Sequence, residues 1–289
     1  MGKYLKKWNG KIRLGIQIAF TALTNGYLMG FVKGKIYQGP SKKICLPGLN
    51  CYSCPGALGS CPIGSLQAVL GSHQFKMSFY VVGFLIFTGA VLGRVVCGFL
   101  CPFGLVQDLI YKIPFFQKRK NLPGHKVLVW MKYVVLALMV VLLPMFATNA
   151  FGVSDPWFCK YICPSGTLFG GLPLIFTNEG LRDSLGVLFG WKSFILIAIL
   201  LMSLWIYRPF CKYLCPLGVI YGWFNPIALS KFRIEESACI HCKKCKDACP
   251  MDIPVYEKPN SAECIRCGKC ISECPTECIQ VSLLASKKK

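Results

Sequence analysis

A short cysteine motif recurs along this chain beside long apolar runs, and this repetition limits the possible folds more than any other property. Three copies have the form Cys-x-x-x-Cys-Pro-x-Gly and begin at Cys97, Cys159 and Cys211. A looser copy, Cys-Pro-Ile-Gly-Ser-Leu-Gln, begins at Cys61 and parallels Cys-Pro-Phe-Gly-Leu-Val-Gln at Cys101. One pair of thiols supplies only two ligands, so a site of four thiolates needs two copies from distant parts of the chain.

Four apolar stretches lie between these motifs, at approximately residues 14–32, 78–96, 127–147 and 185–207. Each is about long enough to cross a hydrocarbon core about 30 Å thick, which needs about 20 residues. In a chain of 289 residues that is 54% hydrophobic, they predict four membrane spans and leave room for one small domain. The formal charge of +21 lies mostly between the apolar stretches, which is typical of a membrane protein and not of a nucleic-acid-binding surface.

The loop charges indicate how the spans are oriented. Lysine and arginine are concentrated in the N-terminal arm and in the loop after the second apolar stretch. Cytoplasmic loops carry an excess of these residues, and four spans put both termini on one side. We therefore expect a multi-pass protein of the cytoplasmic membrane, in contact with membrane lipid, with both termini in the cytoplasm.

From about Lys231 the long apolar runs stop, and two runs of the form Cys-x-x-Cys-x-x-Cys-x-x-x-Cys-Pro appear. In bacterial ferredoxins of this spacing, three cysteines bind one [4Fe-4S] cluster and the fourth binds the other. Zinc also binds four thiolates, but two tandem runs that end in Cys-Pro favour iron-sulfur clusters. The predicted iron ligands are therefore crossed: Cys239, Cys242, Cys245 and Cys274 for one cluster, and Cys264, Cys267, Cys270 and Cys249 for the other.

The predicted fold class is mainly α. A bundle of four transmembrane helices over residues 1–230 carries a short re-entrant or interfacial helix after each Cys-Pro, because Pro suits the first turn of a helix. The free N–H groups of such a helix point at the thiolates and stabilise an anionic cluster. Residues 231–289 form an α+β ferredoxin domain for two clusters, with a basic tail. Cys278 has no place in this scheme and is interpreted as a small buried hydrophobic residue.

The spans divide the remaining cysteines between two faces. The pairs that follow the second and fourth spans fall on the cytoplasmic side and predict an inward cluster, and the other copies fall on the opposite face and predict an outward one. Disulfides or a separate metal site are the alternatives for the outward group. The predicted ligands are Cys97, Cys101, Cys211 and Cys215 for the inward cluster, and Cys54, Cys61, Cys159 and Cys163 for the outward cluster, where Cys45 or Cys51 can replace Cys54.

The stretch from Gly93 to Asp108, with its Cys-Gly-Phe-Leu-Cys-Pro core, resembles the NapH-like membrane polyferredoxins, which are related to NosR-type and CcoG-type proteins. The stretch from Tyr207 to Gly218 is similar to the second motif of that family, and the ferredoxin domain follows where the family places it. The resemblance implies four spans, cytoplasmic cysteine pairs and electron transfer that is often linked to quinone. The additional cysteines of the outward group depart from the two-pair pattern and raise the possibility of conduction across the membrane.

These observations favour an electron-transfer subunit that exchanges electrons with a soluble ferredoxin, a flavoprotein or the quinol pool, with quinone or flavin supplied by a partner. Two alternatives stay open: a CcoG-like copper reductase and a membrane-anchored redox sensor. No catalytic residue is predicted, because the sequence has no nucleotide-binding glycine fingerprint, catalytic triad or nucleophile elbow. A route through both faces has to bridge a core of about 30 Å.

Overall fold

A computed structural model describes residues 10–71, 78–114, 117–147, 149, 153–183 and 185–282 of the chain. The N-terminal arm through residue 9, which contributed to the loop-charge argument, and the predicted basic tail after residue 282 lie outside the described residues. The structure is mainly helical, as predicted. Its helices in the first half are Gly10–Thr24, Leu28–Lys33, Pro62–Leu70, Ser78–Leu92, Val95–Phe99 and Pro102–Tyr111, with a 3₁₀ turn at Pro40–Lys43.

The second half begins with one continuous helix from His125 to Phe146, whose middle, Leu136–Leu142, is π-helical. A second π-helical stretch, Thr167–Gly171, links Pro164–Gly166 to Leu172–Thr177. Each π-helical stretch ends just before a turn that contains a proline, Pro144 or Pro173, whose missing N–H interrupts the regular hydrogen-bond pattern. The other helices are Trp157–Tyr161, Glu179–Asp183, Val187–Trp205, Pro209–Tyr213 and Pro216–Phe224.

Among the described residues, two helices are long and apolar enough to cross a membrane: His125–Phe146 and Val187–Trp205. They lie in the third and fourth predicted spans. The first predicted span is instead divided after Thr24, where the N–H of Tyr27 donates to Gly56 O at 3.2 Å and ties the chain to a loop. The second ends at Leu92, because the next residue, Gly93, adopts a positive φ of 55°.

A short helix follows each of the four Cys-Pro steps, as predicted, and in each helix the proline occupies the first turn. The cysteine before it is the N-cap residue. Two of these helices, Pro62–Leu70 and Pro216–Phe224, pack against the apolar helix Ser78–Leu92. The cysteines are therefore held at helix starts in the interior of the protein, not in free loops.

The C-terminal segment is framed by the structure's antiparallel strand pair, Lys231–Ile234 with Ile279–Ser282, in which Lys231 pairs with Ser282 and Ile234 with Ile279. Between the strands lie a 3₁₀ turn at Glu236–Ala238 and the short helices Lys244–Asp247 and Lys269–Ser272. One continuous hydrophobic core extends from Cys45 and Leu49 through the apolar helices to Ile265 and Ile271. The C-terminal segment thus shares its core with the rest of the chain.

Candidate metal centres

The cysteines that the sequence assigned to an inward cluster come together in the structure. They are called the Cys97 set here and consist of Cys97, Cys101, Cys211 and Cys215, all buried. Burial raises the pKa of Cys215 well above its usual range, and the proximity of the other three thiols raises it further. Without a cationic partner these thiols are therefore protonated, and a metal core that binds them as thiolates supplies the positive charge that releases their protons.

In every copy of the motif, the glycine after Cys-Pro-x turns its N–H toward the cysteine. Gly104 N donates to Cys101 Sγ at 3.4 Å. Gly64, Gly166 and Gly218 lie at the same place relative to Cys61, Cys163 and Cys215, and the backbone N–H of each lowers the pKa of that thiol. This is the geometry of a helix N-cap with sulfur as the acceptor, and it explains why Cys, Pro and Gly recur at this spacing.

Two buried arginines hold the two halves of the Cys97 set together. Arg94 Nη2 donates to Cys211 O at 3.4 Å, and Arg208 Nη1 donates to Cys97 O. Each arginine lies three residues before the first cysteine of its own pair and reaches across to the opposite pair. A Cβ on Gly218 would lie 2.9 Å from Arg94, and one on Gly104 would lie 3.1 Å from Arg208, so the glycines leave room for these side chains. The sequence shows the repeated Arg-x-x-Cys, but its reciprocal contacts were not predicted.

The charge of Arg208 is neutralised by Asp108, which is 2% exposed. Arg208 donates to both carboxylate oxygens, at 2.7 and 2.6 Å, and Arg13 adds a contact of 2.8 Å. Burial alone would raise the pKa of Asp108, but the two arginines hold it below its ordinary value. Asp108 is therefore an anion that fixes three helices around the Cys97 set.

The structure brings Cys51, not Cys54, next to the remaining pairs. Cys51, Cys61, Cys159 and Cys163 form what we call the Cys51 set. Burial raises the pKa of Cys159 well above its usual range, and Cys163, Cys61 and Cys51 raise it further. Burial also raises the pKa of Cys61 to about 12 and that of Cys163 to about 11. The sequence named Cys51 only as a substitute for Cys54, because the spacing of the loop does not show which thiol turns inward.

The other two cysteines of this loop have different neighbours. Cys54 Sγ lies 3.5 Å from Asn25 Oδ1, and Cys45 Sγ lies 3.8 Å from Ser60 Oγ. Both are buried. They serve as natural comparison positions for substitutions in the Cys51 set.

A glutamine connects the two halves of each set in the same way. Gln107 Nε2 donates to Cys211 Sγ at 3.4 Å, and its Oε1 accepts from Phe210 N at 3.2 Å. Gln67 Nε2 donates to Cys159 Sγ at 3.3 Å, and its Oε1 accepts from Phe158 N at 2.9 Å. The two glutamines stand at the same distance after Cys101 and Cys61 in the repeat, so the sequence signal was present, although its role was not predicted.

The first ferredoxin-type set, called the Cys264 set, contains Cys249, Cys264, Cys267 and Cys270. Burial, together with the neighbouring thiols of Cys267 and Cys249, raises the pKa of Cys264 to about 12. One pocket is lined by all four cysteines. The structure therefore brings Cys249 to the later run, which is the crossed arrangement expected from the sequence.

The Cys264 set sits directly against the Cys97 set. A Cβ on Gly98 would lie 2.4 Å from Ile265 O, so the backbone beside Cys97 touches the backbone beside Cys264. Arg94 Nη1 donates to Ala262 O at 2.6 Å and to Glu263 at 3.1 Å, and Lys132 also pairs with Glu263. Burial alone would raise the pKa of Glu263, but Arg94 and Lys132 hold it below its ordinary value.

The second ferredoxin-type set, the Cys239 set, contains Cys239, Cys242, Cys245 and Cys274 around another pocket. Cys278 lines the same pocket, with its Sγ 3.5 Å from Cys274 Sγ. It is buried, as the sequence suggested, but it lies at the site and not away from it. Cys245 is close enough to Cys270 to raise its pKa, so this set adjoins the Cys264 set.

The donor chemistry of all four sets fits a [4Fe-4S] cluster, which four cysteine thiolates hold. In the described part of the chain, no three His, Cys, Asp or Glu side chains are grouped closely enough to bind a single metal ion. Four thiols arranged around a common space, with backbone N–H groups directed at sulfur, are the surroundings that such a cluster needs. The assignment of each ligand stays a prediction.

Comparisons with known families agree with this chemistry. A family model described as a 4Fe-4S binding domain matches residues 77–123, 133–175 and 188–235, and one described as a 4Fe-4S dicluster domain matches residues 231–275. The first model covers the pairs at Cys97, Cys159 and Cys211 in three separate matches. No solved structure matches the chain significantly.

Several curated proteins are similar to parts of the chain. An uncharacterised protein of Methanocaldococcus jannaschii is 34% identical over 60% of this chain and 65% of its own length. The methylamine utilization ferredoxin-type protein MauN of Methylorubrum extorquens is 28% identical over 66% of this chain and 55% of its own length. The ferredoxin-type protein NapH of Haemophilus influenzae is 27% identical over 56% and 49%. The chain thus matches less than two thirds of the length of each relative.

Proposed function

Because this chain belongs to the NapH-like family of ferredoxin-type [4Fe-4S] electron-transport proteins, we propose that it is a membrane-bound carrier of single electrons. Electrons pass between a cytoplasmic donor or the quinol pool and a redox partner by way of the Cys239, Cys264 and Cys97 sets. Bound clusters supply the one-electron chemistry. The residues of the chain hold the clusters in order, shield them from water and set the surrounding charge.

The observation that carries the proposal is the close contact between the ferredoxin-type segment and the motif helices. Gly98 meets Ile265 O, and Arg94 joins Cys211 O to Ala262 O in one side chain. Asn225 adds a hydrogen bond to Cys264 O at 2.8 Å. The Cys264 and Cys97 sets are therefore neighbours, joined by a close backbone contact and by hydrogen bonds, and this closeness supports direct electron transfer between them.

The membrane location is supported by the two long apolar helices and by their exposed apolar side chains. Val187 is 91% exposed and Phe194 65% exposed on one helix, and Val127 is 76% exposed on the other. Such surfaces are stable in lipid and unfavourable in water. We propose a multi-pass arrangement in which the shorter helices Gly10–Thr24 and Ser78–Leu92 complete the bundle and both termini face the cytoplasm.

The surface around the Cys239 set suits a soluble electron donor. Cys242 is exposed, so this set is the one nearest to solvent. Lys243 and Lys244 are exposed beside it, and Lys246 is half-buried. Positive charge at the point of electron entry attracts an acidic partner, such as a soluble ferredoxin or a flavoprotein.

Iron analysis and electron paramagnetic resonance of anaerobically purified protein test the proposal. The double variant Cys97→Ser, Cys211→Ser should lose about four irons and one reduced-cluster signal, because one [4Fe-4S] cluster contains four irons. Cys54→Ser, a matched cysteine outside the four sets, should keep both iron and signals. An unchanged iron content in the double variant would remove the Cys97 set from the pathway.

A further inference from the structure

We propose that Cys51, Cys61, Cys159 and Cys163 hold a fourth [4Fe-4S] cluster and that it exchanges one electron directly with the Cys97 set. The inference rests on the proposed function, because the electron reaches the Cys51 set by way of the Cys97 set. One site is oxidised as the other is reduced, and no proton transfer is required.

The first argument is the geometry of the four thiols. A Cβ on Gly64, in the helix capped by Cys61, would lie 3.7 Å from Cys159 Sγ. A Cβ on Gly166, in the helix capped by Cys163, would lie 3.6 Å from Cys51 Sγ. Each capped helix thus presents its own cysteine and the cysteine of another segment to the same space.

The second argument is the shared construction of the two sets. Gln67 joins Cys159 Sγ to Phe158 N as Gln107 joins Cys211 Sγ to Phe210 N. A buried amide that donates to sulfur supports a thiolate ligand and has little purpose beside a neutral, unliganded thiol. Since the same contact occurs where a cluster is proposed on family grounds, we infer the same ligand here.

The third argument is the placement of positive charge. Lys42 is only 4% exposed, and its Nζ donates to Ala57 O at 2.8 Å and lies 4.9 Å from the ring of Tyr52. Lys192 Nζ donates to Cys159 O at 3.3 Å. Four thiolates around an iron-sulfur core carry net negative charge, which is compensated by Lys192 at the backbone of Cys159 and by Lys42 at the ring of Tyr52, the residue after Cys51.

The fourth argument is the contact between the Cys51 and Cys97 sets. The backbone N–H of Leu49 is close enough to the Cys101 thiol to lower its pKa, and Cys51 follows two residues later. A Cβ on Gly48 would lie 2.5 Å from Leu100 O and 3.1 Å from Cys101 Cα, so the loop touches the backbone of the motif. The buried Tyr221 fixes this approach, because its hydroxyl donates to Pro47 O at 3.0 Å.

The sequence suggested that a core of about 30 Å separates the inward cysteines from the outward ones. The loop 45–61 brings the two groups into contact instead. The segment 45–61 folds inward against Cys101 and Pro102 instead of remaining at the surface. The path from Cys101 to Cys51 is the close backbone contact at Gly48 and the three residues that follow it. No quinone, flavin or haem is needed between the two sets.

The test uses the full chain, purified without oxygen and reduced with dithionite. Wild-type protein should contain about sixteen irons, and the double variant Cys51→Ser, Cys163→Ser should contain about twelve, because one cluster holds four. Cys45→Ser and Cys54→Ser, in the same loop, should retain the wild-type content. Twelve irons in both the wild type and the double variant would overturn the fourth site.

The same samples distinguish failure of this inference from failure of the proposed function. If Cys51→Ser, Cys163→Ser keeps its iron while Cys97→Ser, Cys211→Ser loses about four, the fourth site is wrong and the three-site carrier stands. If neither double variant loses iron, the proposed function also fails.

Magnetic coupling between adjacent reduced clusters tests direct exchange. The signal of the Cys97 set should be broadened by its neighbour in the wild type and should sharpen in Cys51→Ser, Cys163→Ser. An unchanged line shape, despite the loss of four irons, would overturn the direct contact.

Gln67→Leu provides a second variant in case the double variant does not fold, since it retains all four thiols. Its iron content should equal that of the wild type, and the reduction potential of a single signal should shift. The shifted signal should be the same one that disappears in Cys51→Ser, Cys163→Ser. If that double variant does not fold, the shifted signal should be one whose potential does not change in Gln107→Leu. A shift in the signal of the Cys97 set instead, or no shift, would overturn the inference.

Discussion

At the scale of single residues, charges that are buried and paired set the environment of the candidate sites. Asp108 contacts Arg208 and Arg13, and Glu263 contacts Arg94 and Lys132. Removing one member of such a pair leaves the other as an unpaired charge in the interior, which is far more costly than losing an exposed ion pair. These residues are therefore stability determinants, although none is a proposed ligand.

Asp108→Asn should destabilise the protein by roughly 3–5 kcal/mol, because the fully buried Arg208 would lose its anion. Thermal unfolding in detergent, followed by circular dichroism, measures the change. Asp183→Asn makes the same substitution at an exposed site and should leave the unfolding temperature nearly unchanged. Equal effects of the two substitutions would contradict the structural role of Asp108.

Gln107→Leu should lower the reduction potential of the Cys97 set. The hydrogen bond from Gln107 Nε2 to Cys211 Sγ stabilises the reduced cluster, which is the more negative of the two states. Losing a hydrogen bond of about 1 kcal/mol corresponds to a downward shift of roughly 40 mV in the potential of a one-electron couple. A redox titration monitored by electron paramagnetic resonance measures the potential. Gln107→Glu keeps the size of the side chain but replaces the amide N–H donor with a carboxylate oxygen, so we expect the reduction potential to fall there as well. A rise in the potential of either variant would refute the assignment.

At the scale of secondary structure elements, close backbone contact decides which helices meet. The helix Val95–Phe99 touches the ferredoxin-type segment at Gly98, where no side chain fits against Ile265 O. The helix Pro102–Tyr111 touches the loop 45–61 in a similar way at Gly48. Gly98 and Gly48 have no side chain, so they allow the backbones of two neighbouring sites to come into contact. In both cases the contacting backbone belongs to a segment that is distant in sequence.

Gly98→Ala should loosen the contact between the Cys264 and Cys97 sets, since overpacking costs about 1–3 kcal/mol. All clusters should remain, while electron transfer from the ferredoxin-type segment to the Cys97 set should slow. Freeze-quench paramagnetic resonance after rapid reduction measures the rate. Gly83→Ala, where a Cβ meets nothing within 4 Å, is the control and should transfer electrons at the wild-type rate.

At the scale of the whole molecule, the four sets follow one another from the exposed Cys242 to the interior. The Cys239 set adjoins the Cys264 set, which meets the Cys97 set, which meets the Cys51 set. This order gives the molecule one end that is exposed near basic side chains and another, the Cys51 set, in which Cys61 and Cys163 are buried and Cys51 and Cys159 are half-buried. Under the proposed function electrons enter at the exposed end, so the rate of entry should depend on the charge of the partner.

Lys244→Glu should slow reduction by an acidic soluble ferredoxin, and raising the ionic strength should reduce the difference between variant and wild type. Stopped-flow spectroscopy at several salt concentrations measures both effects. Lys126→Glu makes the same charge change at another exposed position and should leave the rate close to that of the wild type. A rate that does not depend on Lys244 would place the entry point elsewhere.

Much of this arrangement was predictable because cluster chemistry imposes local spacing. The sequence predicted helices after each Cys-Pro step, and the structure has Pro62–Leu70, Pro102–Tyr111 and Pro216–Phe224 there. It also paired Cys97 and Cys101 with Cys211 and Cys215. The division of the first predicted span after Thr24 was not predictable, because apolar composition alone does not show that Tyr27 N bonds to Gly56 O.

By itself, the sequence determined the chemistry of the chain: thiolates at cluster spacing, glycines and prolines that start short helices, and apolar runs between them. Only the tertiary structure decided that Cys51 and not Cys54 joins Cys159, that Arg94 and Arg208 exchange contacts, and that residues 45–61 fold against Cys101. The physical reason is the range of the interactions. Capping and motif spacing act over a few residues, whereas these contacts depend on the packing of segments that lie tens to more than a hundred residues apart.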